Sequence, residues 1–194
     1  MWLLFALGCG PEATPVAEAP VAVATPAEAP PPVPVRAAPT LSLRSKAFGH
    51  TEPIPTKYTC EGNDVSPPLA WSDPPAGTKS FALVVDDPDV PDPSAPQRTW
   101  VHWVVYDLPG DVRALPEAVG ELPEGARDGT NDWKRTGYGG PCPPSGRHRY
   151  KHKLYALDTV LGDRGPMTKG QLIAAIGPHV LAKTELLGTY VKAD

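Results

Sequence analysis

Proline limits what this chain can become more than any other residue. It occupies 27 of the 194 positions. Each proline removes a backbone donor and fixes φ, so long helices are disfavoured while turns and short extended segments are favoured. The expectation is a β fold. The prolines are also unevenly placed. Residues 10–40 read GPEATPVAEAPVAVATPAEAPPPVPVRAAPT, a tract without an aromatic side chain that cannot bury enough surface to fold and is expected to be a semi-extended tether. Beyond it remain roughly 150 residues, the size of one domain around one core.

The segment before the tether has the form of an address. Residues 2–8, WLLFALG, are an apolar run followed directly by Cys9, the order of a bacterial lipoprotein export signal with lipidation at the cysteine. The run is short and no Lys or Arg precedes it, so an ordinary frayed N-terminus is the competing reading. Nothing after residue 9 is long or apolar enough to span a bilayer. Attachment to a membrane would therefore be by lipid alone, which implies a lipid-anchored protein of the bacterial cell envelope, periplasmic or otherwise extracytoplasmic. Lipidation would consume Cys9 and leave Cys60 and Cys142 as an even pair in an oxidising compartment. A disulfide, buried free thiols and a metal site all remain open for that pair, although two cysteines without CxxC spacing argue against zinc.

From residue 41 to residue 194 the pattern is that of a folded domain. LSLRSKAF, PPLAWS, SFALVVDD, TWVHWVVYDL and HRYKHKLYALD are strand candidates separated by loops of Pro, Gly, Asp and Asn. The run Trp100–Leu108 is apolar on both faces except for His102, so it should be a central strand covered on both sides. In the last candidate, Arg149, Lys151 and Lys153 share one face while His148, Tyr150, His152 and Leu154 share the other. Helix is expected only late. Thr168 and Gln171 form a capping-box pattern before Leu172, Ile173 and Ile176, and a second helical stretch is expected over Pro178–Leu187, ended by Gly188. The predicted class is mainly β, two sheets with short peripheral helices.

Three segments concentrate chemistry. Asp86-Asp87-Pro88-Asp89-Val90-Pro91 sets three carboxylates at the end of an apolar strand, as a solvated turn also would. His102 interrupts an otherwise apolar strand, which equally fits a buried neutral histidine with one backbone partner. The Gly137–Gly146 loop leads to His148 and Tyr150, and its glycines and prolines suggest a rigid rim around an anion. Together these residues could hold a phosphate-like anion between imidazoles and loop N–H groups, with local basic charge supplied between Arg127 and Lys153. They could also form an Asp/His/His metal site that activates water, a hydrolase. No GxSxG elbow, GxxxxGK[ST] loop or GxGxxG is present. The formal charge of −4 and pI near 5.7 argue against a general nucleic-acid binder.

DPDVP, WVHWVVYDLP and GYGGPCPPSGRHRYKHKLYALD closely resemble the phosphatidylethanolamine-binding protein family in its bacterial and archaeal Raf-kinase-inhibitor-like branch. TCEGNDVSPPLAW and GPHVLAKTELLGTY extend the likeness across residues 41–194. The resemblance implies a Greek-key β-sandwich with a small cavity for phosphate, acetate or a phospholipid head group. Carried onto this chain, it implies a pocket of Asp87, His102, His148 and Tyr150, with Pro143 and Pro144 at the rim and Tyr190 closing it. It implies a non-catalytic binding protein without cofactor or metal, whose protein partners would be kinase-like enzymes or proteases that it inhibits or regulates. The lipoprotein-like front end is outside the family pattern and argues against cytoplasmic kinases. His152 stands where an aromatic is more usual and is left out of the site.

Overall fold

The computed structural model describes residues 40–193. The expected signal segment with Cys9, and the tether up to residue 39, lie outside the described residues. Within them the chain is mainly β, with eight strands, one α-helix and two single-turn 3-10 segments. A three-stranded antiparallel sheet has the order β1-β2-β5, with β1 at Ser42–Ser45, β2 at Leu69–Ser72 and β5 at Ala114–Leu115. A five-stranded antiparallel sheet has the order β6-β4-β3-β7-β8. Its strands are β3 at Ser80–Val90, β4 at Arg98–Pro109, β6 at Arg127–Asp128, β7 at Arg147–Leu157 and β8 at Val180–Val191. After β3, β4 and β6, the chain returns to place β7 on the far side of β3, which is the Greek-key connection.

Period-two alternation assigns the two faces of the large sheet. Phe81, Leu83 and Val85 of β3 and Leu154 of β7 pack with Leu43, Leu69, Trp71 and Leu115 of the small sheet into the main core. Ala82 and Val84, the intervening residues of β3, face the other way and pack with Val104, Tyr106, Leu172 and Ile176. Strand β4 is thus covered on both sides, as its two-sided apolar run requires. The cover on the second face includes helix α1, Lys169–Ile176, which begins at the Thr168–Gln171 capping box read from the sequence. None of the described helices is long and apolar enough to cross a membrane.

The expected helix over Pro178–Leu187 is not formed. A short 3-10 turn covers Gly177–His179, and the rest belongs to β8, which pairs along almost its whole length with β7, from Leu157↔Val180 to Arg147↔Val191. The local sequence AKTELLG is rich in helix formers, and tertiary pairing overrides that preference. Gly188 is consequently no helix terminus. It lies in the strand beneath Ile54 and Phe48, where an added Cβ would stand 2.5 Å from Ile54 Cγ1. Only glycine leaves room for that crossing. Cys60 and Cys142, 82 residues apart, are joined by a disulfide with their Cα atoms 5.5 Å apart.

Candidate functional site

Alternation and a break in register together separate the three carboxylates of the DDPD segment: Asp86 and Asp87 take opposite faces, and the pairing of β3 with β4 shifts between Asp87 and Val90. Asp86 follows Val84 onto the face of α1, is fully buried, and accepts hydrogen bonds from Lys153 Nζ at 2.8 Å and from Lys169 Nζ of the helix. Asp89 is also buried and forms a two-pronged pair with the Arg149 guanidinium, which holds its carboxyl below the usual range. Asp87 follows Val85 toward the inter-sheet side, while Asp89, of the same parity, falls in the irregular stretch between Asp87 and Val90. Asp87 accepts from Asp89 N at 2.8 Å on Oδ1 and from His148 Nδ1 at 2.7 Å on Oδ2. Of the basic residues read between Arg127 and Lys153, Lys153 and Arg149 are therefore spent on Asp86 and Asp89.

His102 reaches the same side through a bulge. Val85 pairs with Trp103 and Asp86 with Val101, so β4 carries one extra residue at His102. Such an insertion breaks strict alternation and re-aims a side chain. The ring is buried and its Nδ1 lies 2.7 Å from Gly139 O. A carbonyl only accepts, so Nδ1 carries the proton and, in the neutral ring, Nε2 presents a lone pair. Burial lowers the His102 pKa, which keeps the ring neutral. Gly139 N in turn donates to His102 O at 3.1 Å. The absence of a side chain at Gly139 admits the Trp133 ring, since a Cβ there would meet it at 2.5 Å.

These groups border a cavity of about 280 Å³ lined by Asp87, His102 and Tyr150 at its polar end. Trp100, Trp133, Val90, Pro143, Pro144 and Cys142 form the largely apolar walls, and Arg98 contributes a cation. The Arg98 guanidinium stacks 4.4 Å above the Trp100 ring. Trp133 stands edge-on to both Trp100 and His102 and remains partly exposed. The Tyr150 hydroxyl is buried and has no hydrogen-bond partner among the described residues. Burial, with Asp87 nearby, holds its pKa far above the ordinary phenol value, so it remains a donor.

Several expected site residues stand elsewhere. His148 is fully buried and is not among the cavity-lining residues; it sits behind Asp87 and fixes that carboxylate. Tyr190 pairs with His148 across β7 and β8, and its hydroxyl bonds to Glu61, so it too is absent from the wall. Two N–H groups of the glycine-rich loop are taken up within the fold and not offered to the cavity. Gly139 N is used by His102 O and Gly140 N by Asp64 Oδ1 at 2.6 Å, while the prolines have no N–H to offer. Among the described residues no group of three His, Cys, Asp or Glu converges as a metal-ligand set. Sequence reasoning missed Arg98, Trp100 and Trp133. Arg98 and Trp100 share the two-residue spacing that leads toward His102, and this was the available signal. Trp133 comes from a distant turn and had none.

Comparison with known proteins places this geometry among relatives. The family model described as phosphatidylethanolamine-binding protein matches residues 44–191. A UPF0098 protein of Methanothermobacter thermautotrophicus is 45% identical over 153 residues, covering 77% of this chain and 98% of its own. The crystal structure of a Chlamydia trachomatis homologue of phosphatidylethanolamine-binding protein is 44% identical with a TM-score of 0.74, covering 79% of this chain and 99% of that one. That of E. coli YbcL, a new member of the mammalian PEBP family, is 32% identical with a TM-score of 0.71 and the same coverage.

Proposed function

The chain belongs to the phosphatidylethanolamine-binding protein family, and from that premise we propose that its cavity is a receptor for a small organic acid, such as a phosphate monoester, bound in a form that still carries a proton. The observation that carries this reading is the polarity of the cavity end. Asp87 and His102 Nε2 offer lone pairs, whereas Tyr150 offers a single O–H donor. A fully ionised phosphate would meet two acceptors and be repelled. A monoanion can donate its P–OH to His102 or Asp87 while its charged oxygens accept from Tyr150 and face Arg98.

Cavity size argues for an organic substituent. An apolar cavity of roughly 150 Å³ suffices for benzene, so about 280 Å³ accommodates an acid group together with a ring-sized group between Trp100, Trp133 and the two prolines. Role assignments follow. His102, Asp87 and Tyr150 contact the acid, Arg98 offsets its charge, and His148 positions Asp87. The role is one of binding.

Calorimetric titration with phenyl phosphate tests the reading. The second ionisation of a phosphomonoester lies near pH 6. Affinity should therefore be highest at or below about pH 6 and weaken about tenfold per pH unit above it, because the binding form is lost from solution. His102→Ala and Tyr150→Phe should each weaken binding about tenfold or more. Unchanged affinity in both variants, or affinity that rises with pH, contradicts the assignment.

A further inference from the structure

The disulfide lies at the cavity rather than in either core. Cys142 lines the wall between Pro141 and the Pro143–Pro144 pair, and both half-cystines are exposed residues. Cys60 sits in a neighbouring loop that approaches the rim through three further contacts. Cys60 N donates to Pro141 O at 3.1 Å, Gly140 N to Asp64 Oδ1 at 2.6 Å, and the Tyr138 hydroxyl to Tyr58 O at 3.0 Å. On its other side the rim is held by the reciprocal bonds between Gly139 and His102. Beyond Pro141, no hydrogen bond to the Cys60 loop ties Cys142, Pro143 or Pro144 among the described residues. The S–S bond is what ties this part of the wall to that loop.

We propose that the Cys60–Cys142 bond is a thiol-reactive latch whose reduction loosens the Pro143–Pro144 wall and weakens ligand binding without unfolding the domain. The inference rests on the reading of the cavity as an acid receptor. The reductant is a thiol. Its thiolate attacks Cys60 Sγ, a new S–S bond forms to the reductant as the Cys60–Cys142 bond breaks, and Cys142 leaves as the thiolate. A second thiolate attacks the reductant sulfur of that mixed disulfide, releasing Cys60 as a thiolate and the reductant as its own disulfide. Two electrons pass from two thiols to the protein, and the two cysteines take up protons from solvent. The wall then loses its covalent attachment, and the new Cys142 thiol or thiolate borders the cavity. Fixing even one residue of backbone again on binding corresponds to about tenfold in affinity.

The test uses the full chain, oxidised or treated with dithiothreitol, with the redox state of Cys60 and Cys142 mapped by alkylation and peptide mass. Phenyl phosphate affinity is measured in both states and in the Cys60→Ser/Cys142→Ser variant, and far-ultraviolet circular dichroism reports the fold. The expected result is an intact β spectrum, affinity about tenfold or more weaker in the reduced and variant proteins, and recovery on reoxidation. Equal affinity in both states, or loss of the β spectrum on reduction, overturns the latch. Should the oxidised protein not bind phenyl phosphate, the receptor reading fails by itself. The latch is then judged by amide exchange at Gly140 and Cys142, which must accelerate on reduction; unchanged exchange overturns it.

Discussion

Replacing Asp86 by alanine is expected to destabilise the domain by about 3 kcal/mol, read as a lowered midpoint in urea at unchanged slope. Asp86 has no exposed surface, and its two lysine partners are only partly exposed, with side-chain accessibilities of 16% for Lys153 and 29% for Lys169. Removing the carboxylate leaves two ammonium groups beside each other over the second core. Their partial access to water keeps the cost at the lower end of the range for a broken buried pair. The adjacent carboxylates give an internal contrast. Asp89→Ala releases Arg149, whose side chain is 53% exposed, and should cost only about 1 kcal/mol. Asp87→Asn keeps shape and volume and should act chiefly on binding. A destabilisation by Asp89→Ala as large as that by Asp86→Ala would contradict this division of roles.

His152 is expected to weaken the fold on the acid side. Its ring is buried against Phe48, with centroids 5.5 Å apart, and neither nitrogen has a partner among the described residues. Burial lowers its pKa from 6.5 to about 4. The folded value is below the unfolded one, so the unfolded state takes up a proton first. The neutral ring is accommodated fully above about pH 6.5, and stability falls as pH drops from 6.5 toward 4, by about 3 kcal/mol over the whole interval. His102, also lowered by burial, adds to the same slope. His152→Phe should preserve the packing on Phe48, remove two orphaned nitrogens and flatten this part of the profile. Urea titrations of wild type and variant at pH 7.5 and 4.5 check it. A variant that loses stability on acidification as steeply as wild type would show that the dependence arises elsewhere.

Sequence alone was informative wherever periodicity decided the outcome. The apolar runs of SFALVVDD and β4 marked strands buried on both faces, and the alternation of HRYKHKLYALD marked the separate faces of β7, because burial in a sandwich acts on each face of a strand separately. Local signals succeeded at the start of α1, where the cap is made by residues three apart. They failed over Pro178–Leu187, where pairing with β7 decides the conformation. The candidate site was legible as a set of residue types but not as a geometry. Parity with Val85 separates Asp87 from Asp86, while the diversion of Asp89 and the aim of His102 depend on register shifts between β3 and β4. The placement of His148 behind Asp87, the use of loop N–H groups by His102 and Asp64, and the arrival of Trp133 depend on contacts between distant segments.

The receptor account stands on an acid group seated between His102, Asp87 and Tyr150, and a crystal structure of the complex with phenyl phosphate at about pH 5.5 examines it most directly. It predicts one phosphate oxygen within hydrogen-bonding distance of His102 Nε2 or the Asp87 carboxylate, a second at the Tyr150 hydroxyl, and the phenyl ring between Trp100, Trp133 and the Pro143–Pro144 wall. Phosphate bound outside this cavity, or a cavity filled only by water at saturating ligand, would contradict it.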